Sequence, residues 1–68
     1  MSPAQRSLEV QMADAVRQAD LLAALRRATD NPTAQLGLIY VYGKRLRCAQ
    51  SDIDAVKQLI NASSERAG

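Results

Sequence analysis

Leu38-Ile39-Tyr40-Val41-Tyr42-Gly43-Lys44-Arg45-Leu46-Arg47-Cys48 is the stretch on which two architectures diverge. β-Branched and aromatic residues fill its first half, and Gly43-Lys44 offers a two-residue loop with glycine where a type II′ turn needs positive φ. A hairpin closed there sets Tyr42 opposite Arg45, Val41 opposite Leu46, Tyr40 opposite Arg47 and Ile39 opposite Cys48. Ile39, Val41, Leu46 and Cys48 then share an apolar side, and Tyr40, Tyr42, Arg45 and Arg47 a polar one. A one-residue slip would destroy that separation.

A helix competes for the same residues, since Leu38, Tyr42, Ala49, Ile53, Val56 and Ile60 lie within one helical stripe. It is less economical. Gly43 inside a helix costs roughly 1 kcal/mol relative to alanine, and Leu36, Ile39 and Tyr40 would need a second partner on the opposite face. The expected class is therefore α+β, mainly helical, with an N-terminal helical region, a β-hairpin wing and a C-terminal helix. The alternative is an all-α antiparallel helical hairpin, dimeric.

Upstream, Ser2-Pro3 carries the signal of a helix start, a capping serine before a proline that gives up only an unpartnered N–H. Leu8, Met12, Ala15, Ala19, Leu22 and Leu25 follow at three- and four-residue intervals and form one amphipathic face. Asp20 could start a second helix if the chain breaks at Gln18-Ala19, so one helix and two remain open. Thr29-Asp30-Asn31-Pro32 ends the pattern in a loop, because Pro32 pushes Asn31 away from the α region. Downstream, Ser51 is placed to cap a last helix, with Asp52 and Asp54 in its first turn and Ile53, Val56, Leu59 and Ile60 as its apolar face. Residues 61–68 turn small and polar and are expected to fray.

Sixty-eight residues make a single small domain, 1–68, with a thin core. A core of this size rarely supplies more than about 3–5 kcal/mol, so a homodimer or a bound partner is expected to add burial. The lone Cys48 cannot form an internal disulfide and suits a reducing compartment. It falls on the apolar side of the hairpin and is expected to be a core residue rather than a reactive thiol. Arg6 and Glu9 interrupt any N-terminal apolar run, and the longest such run, Leu36 to Tyr42, is far short of the roughly 20 residues that span a bilayer. A soluble, cytoplasmic protein is expected, with no membrane association and no small-molecule substrate.

Catalysis is not expected. The chain has no histidine, Cys48 has no base to pair with, the three glycines at 37, 43 and 68 make no phosphate loop, and Asp52 and Asp54 are an i,i+2 pair that a helix points apart. No cofactor or metal is implied. The charge balance of nine basic to seven acidic residues, net +2, permits an anionic partner without requiring one. Tyr40, Tyr42, Lys44, Arg45 and Arg47 form a basic, aromatic hairpin surface, and Arg26-Arg27 a second basic pair. These are the candidate nucleic-acid or partner-binding residues, arginine and lysine for phosphate and tyrosine for stacking or backbone contact.

Gly43-Lys44-Arg45-Leu46-Arg47-Cys48-Ala49-Gln50-Ser51-Asp52-Ile53-Asp54-Ala55-Val56 resembles the wing and following helix of excisionase-like, MerR-related small DNA-binding proteins. Their pattern runs Gly-x-Arg-Leu-Arg, three spacer residues, then Ser-Asp-Ile-Asp-Ala and an apolar residue. The resemblance implies a winged helix-turn-helix in which the helical region before the wing enters the major groove and Arg45 and Arg47 serve as basic wing positions. Thr33-Ala34-Gln35-Leu36 with Ile39 and Ala49-Gln50 is similar to part of the helical arm of the cell-division protein ZapA, and the size is like that of small phage proteins that dimerise and inhibit host regulators. The expected function is therefore duplex-DNA binding of excisionase or transcription-regulator type. The alternative is a homodimeric helical adaptor or inhibitor that binds a host protein.

Overall fold

A computed structural model describes residues 7–67 and contains three helices. Helix α1 runs Leu8–Ala28, α2 Pro32–Arg45 and α3 Gln50–Ala67. No strand occurs among the described residues. The β-hairpin wing is therefore overturned, and the all-α alternative holds, with three helices where it anticipated a two-helix hairpin.

Local chemistry starts and stops each helix. Ser7 caps α1, its side chain accepting the Val10 N–H at 3.2 Å. The expected start at Ser2-Pro3 lies outside the described residues. α1 is one unbroken helix across Gln18-Ala19-Asp20. The loop holds only Thr29, Asp30 and Asn31, because Pro32 is already helical. Asn31 Oδ1 accepts from Thr33 N–H at 2.9 Å and Ala34 N–H at 3.4 Å, and proline at the first position loses nothing. Gln35, buried, donates its amide to the Thr29 carbonyl at 2.7 Å and ties α2 back onto the end of α1.

The end of α2 explains the failed hairpin. Arg47, not Gly43, takes the positive φ, at 58°, and no glycine among the described residues does. Cys48 N–H donates to the Gly43 carbonyl at 2.8 Å and Arg47 N–H to the Lys44 carbonyl at 3.2 Å, which is the paired bonding of a Schellman stop with its left-handed residue at Arg47. Gly43 stays helical, and a Cβ there would lie 3.1 Å from both Cγ1 and Cδ1 of Ile53. Its missing side chain is the space that lets α3 approach α2. A two-stranded hairpin would have been marginal without a third strand, whereas a helix satisfies its own backbone and offers Gln35, Ile39 and Gly43 to the core at four-residue spacing.

The core is Leu21, Leu25, Ile39, Ile53, Val56 and Ile60, with Leu22, Leu36, Leu38, Tyr42, Leu46 and Cys48 packed around it. Of the face expected for α1, Leu25 is buried and Leu22 packs on the core, and the remainder stands outside it. Leu21 and Leu25 are its buried residues, while Leu8, Met12, Ala15 and Ala19 are exposed. α3 begins two residues earlier than a Ser51 cap would set it, at Gln50, and continues to Ala67 through the small, polar stretch in which fraying was anticipated. The radius of gyration is 12.9 Å, against about 11 Å for a compact domain of this length. The excess fits helix ends that stand exposed, residues 8–13 of α1 and 61–64 of α3.

Candidate functional site

The centre of polar organisation is Asp52, 1% exposed, in the first turn of α3. Its Oδ2 accepts from Arg17 Nε at 3.0 Å and from the Ala49 N–H at 3.0 Å, and its Oδ1 from Gln18 Nε2 at 3.0 Å. Ser51 was the expected cap. Instead Asp52 reaches back to the first orphan N–H of α3 as the acidic member of a capping box does, while Ala49 supplies the carbonyl that starts the helix. Burial pushes the Asp52 carboxyl up, but the bonds from Gln18, Arg17 and the Ala49 N–H, with the charge of Arg17, outweigh it and hold the group below the usual carboxylate range. Arg17, also paired with Asp14, is raised further above its ordinary value, foremost by its bond to Asp52. Local sequence patterns held no sign of this cluster, because its members stand 34 and 35 residues apart.

Cys48 lies half-buried beside this cluster, its Sγ 4.0 Å from the Arg17 carbonyl. Burial, reinforced by the charges of Asp52 and Asp20 against that of Arg17, pushes its thiol up and disfavours the reactive thiolate. No group of His, Cys, Asp or Glu among the described residues could hold a metal ion. A cleft between α1, the loop, the start of α2 and α3, lined by Leu22, Arg26, Asp30, Pro32, Gln35, Ile60 and Ser63, brings no reactive pair together.

The seven expected binding residues do not form one surface. Arg26 and Arg27 are exposed in the last turn of α1, where they complement the helix dipole. Lys44, Arg45 and Arg47 are exposed at the far end of α2, and a helix of 14 residues sets the two groups about 20 Å apart. The tyrosines are engaged within the chain. Tyr40 Oη accepts from Lys57 Nζ, whose ammonium sits 4.5 Å from the ring centre, and the half-buried Tyr42 ring lies 5.6 Å from the Arg45 guanidinium. Tyr42 and Arg45 are thus neighbours along one helix rather than across two strands.

What the fold does bring together is the basic trio and the start of α3. The turn Leu46–Ala49 is four residues long, and directly after it Gln50, Ser51 and Asp54 are exposed, Gln50 donating to Asp54 at 2.9 Å. No protein-family model, curated protein or solved structure matches the chain. The segment that resembles a wing, Gly43 to Cys48, is a helix end and turn, and Ser51 to Val56 lies within α3. No described helix is long and apolar enough to cross a membrane.

Proposed function

We propose that the α2–turn–α3 unit binds duplex DNA as a wingless helix-turn-helix. α3 lies in the major groove by its first turns, and Lys44, Arg45 and Arg47 hold the adjoining phosphates. The observation that carries this reading is the four-residue turn locked at both ends, by Arg47 in the left-handed region and by the Gly43–Ile53 approach. That turn sets three exposed cations beside the exposed face of Gln50, Ser51 and Asp54. Two helices joined by a three- or four-residue turn are the framework of such readers, the second helix addressing base edges. Gln50 suits the adenine edge, Asp54 the cytosine amino group and Ser51 either. Lys44 and Arg45 also answer the dipole of α2, but Arg47 stands beyond the helix and owes nothing to it.

The reader thereby moves from the helical region ahead of the expected wing to the helix behind it. Arg26, Arg27 and Tyr40 leave the site. The test is a salt titration of binding to random and genomic duplexes. Neutralising Lys44, Arg45 and Arg47 together should lower the slope of log affinity against log salt by about two to three units. Gln50→Ala should instead relax the preference at one base position. Failure of the parent protein to bind any duplex at low salt overturns the proposal.

A further inference from the structure

The core-facing side of α1 is complete in Leu21 and Leu25, yet its opposite side is also apolar. Leu8 is 70%, Met12 59% and Val16 59% exposed, Ala15 and Ala19 continue the same outward strip, and the half-buried Leu22 lies at its edge, where it meets the core. Leu8, Met12, Ala15, Ala19 and Leu22 alternate steps of four and three, the spacing of a helix–helix seam. The strip runs through residues 8–13, all of them exposed, and a helix end without packing is marginal.

We infer that this face binds the same face of a second copy, with the two α1 helices antiparallel. Charge selects that occupant. Glu9 and Arg27 are 18 residues apart, which is about five full turns, so they flank the strip on the same side at opposite ends. Neither makes an ion pair among the described residues. A two-fold axis near residue 17 or 18 carries Glu9 of each copy to Arg27 of the other, forming the pair twice. It also sets Ala15 against Ala19, where two small residues let the backbones close, and Met12 against Leu22. A parallel pair, whose two-fold runs along the helices, would instead put Glu9 and Arg27 of one copy at the opposite edge of the seam from those of the other and leave all four unpaired. This pairing stands independently of DNA binding.

Sedimentation equilibrium across a concentration series tests it. The parent should be a dimer at high micromolar concentration, and Met12→Lys, at an exposed site that leaves the monomer fold intact, should raise the dimer dissociation constant about a hundredfold. Glu9→Arg and Arg27→Glu should each raise it about tenfold, and the double swap should restore it. Either single swap also opposes the α1 dipole, a penalty that the double variant keeps, so restored dimerisation with helix content still reduced separates pairing from helix stability. A monomer at every concentration overturns the inference. So does a dimer indifferent to Met12→Lys, or charge swaps whose effects add instead of cancelling.

Discussion

Arg17 and Asp52 form an ion pair, Nε to Oδ2 at 3.0 Å, that fastens the middle of α1 to the start of α3. The carboxylate side is buried and the guanidinium side is one-third exposed. Loss of the carboxylate therefore does the larger damage, because it frees the Ala49 N–H and the Gln18 amide at once. Asp52→Ala should cost about 1–3 kcal/mol in urea unfolding. Arg17→Ala should cost less than Asp52→Ala in the same titration.

The same pair sets a pH dependence. Asp52 is held below the ordinary carboxyl value, so it contributes stability that is complete above the unfolded-state value of about 3.9 and is lost as pH falls through the lower folded value. Urea midpoints should hold steady from about pH 7 to 5 as far as this group is concerned, then drop below about pH 4. In Asp52→Asn that acid drop should be shallower, from a lower starting stability. An equal acid drop in parent and variant would assign it to other carboxylates.

Gly43 and Ile53 should behave as a coupled pair. Alanine at 43 gains helix propensity of up to about 1 kcal/mol, but its Cβ meets Ile53 at 3.1 Å, tighter than ordinary van der Waals contact. Gly43→Ala should therefore be destabilising in the parent, by about 1 kcal/mol, and Gly43→Val more so. In an Ile53→Val background, where Cδ1 is gone but the γ carbon stays, Gly43→Ala should cost less than it does in the parent. Thermal melts of the four proteins in the cycle give the coupling directly.

Arg47 separates stability from binding. Its φ of 58° is one that glycine adopts without penalty. Arg47→Gly should raise stability by about 1 kcal/mol, Arg47→Ala should leave it nearly unchanged, and Arg47→Val should lower it. Duplex affinity should fall equally for the glycine and alanine variants, since both remove one phosphate contact. A glycine variant that binds as tightly as the parent would take Arg47 out of the interface.

Asn31→Ala tests the cap of α2. Its Oδ1 serves Thr33 and Ala34, and loss of such a cap costs about 1 kcal/mol, whereas Asn31→Asp should keep most of it. Chemical denaturation of both variants measures the difference.

The punctuation of the chain was legible from residues close in sequence. Asn31-Pro32 as a boundary, the acidic first turn of α3 and, of its expected apolar face, Ile53, Val56 and Ile60 but not the exposed Leu59 all depend on neighbours within a turn or two, so their types and spacing suffice. The stretch from Leu38 to Cys48 was not legible in that way. Its β-branched and aromatic residues express a packing preference that context overrides, and the context was Ile53 of α3 filling the space beside Gly43. The buried side of α1 was likewise set by distant residues. Leu8, Met12, Ala15 and Ala19 repeat as regularly as any core face, but Asp52, 35 residues beyond Arg17, draws the side bearing Arg17, Gln18 and Leu21 inward and leaves the regular strip outside. Periodicity shows that a helix has an apolar face; which face is buried depends on contacts between residues far apart in the chain.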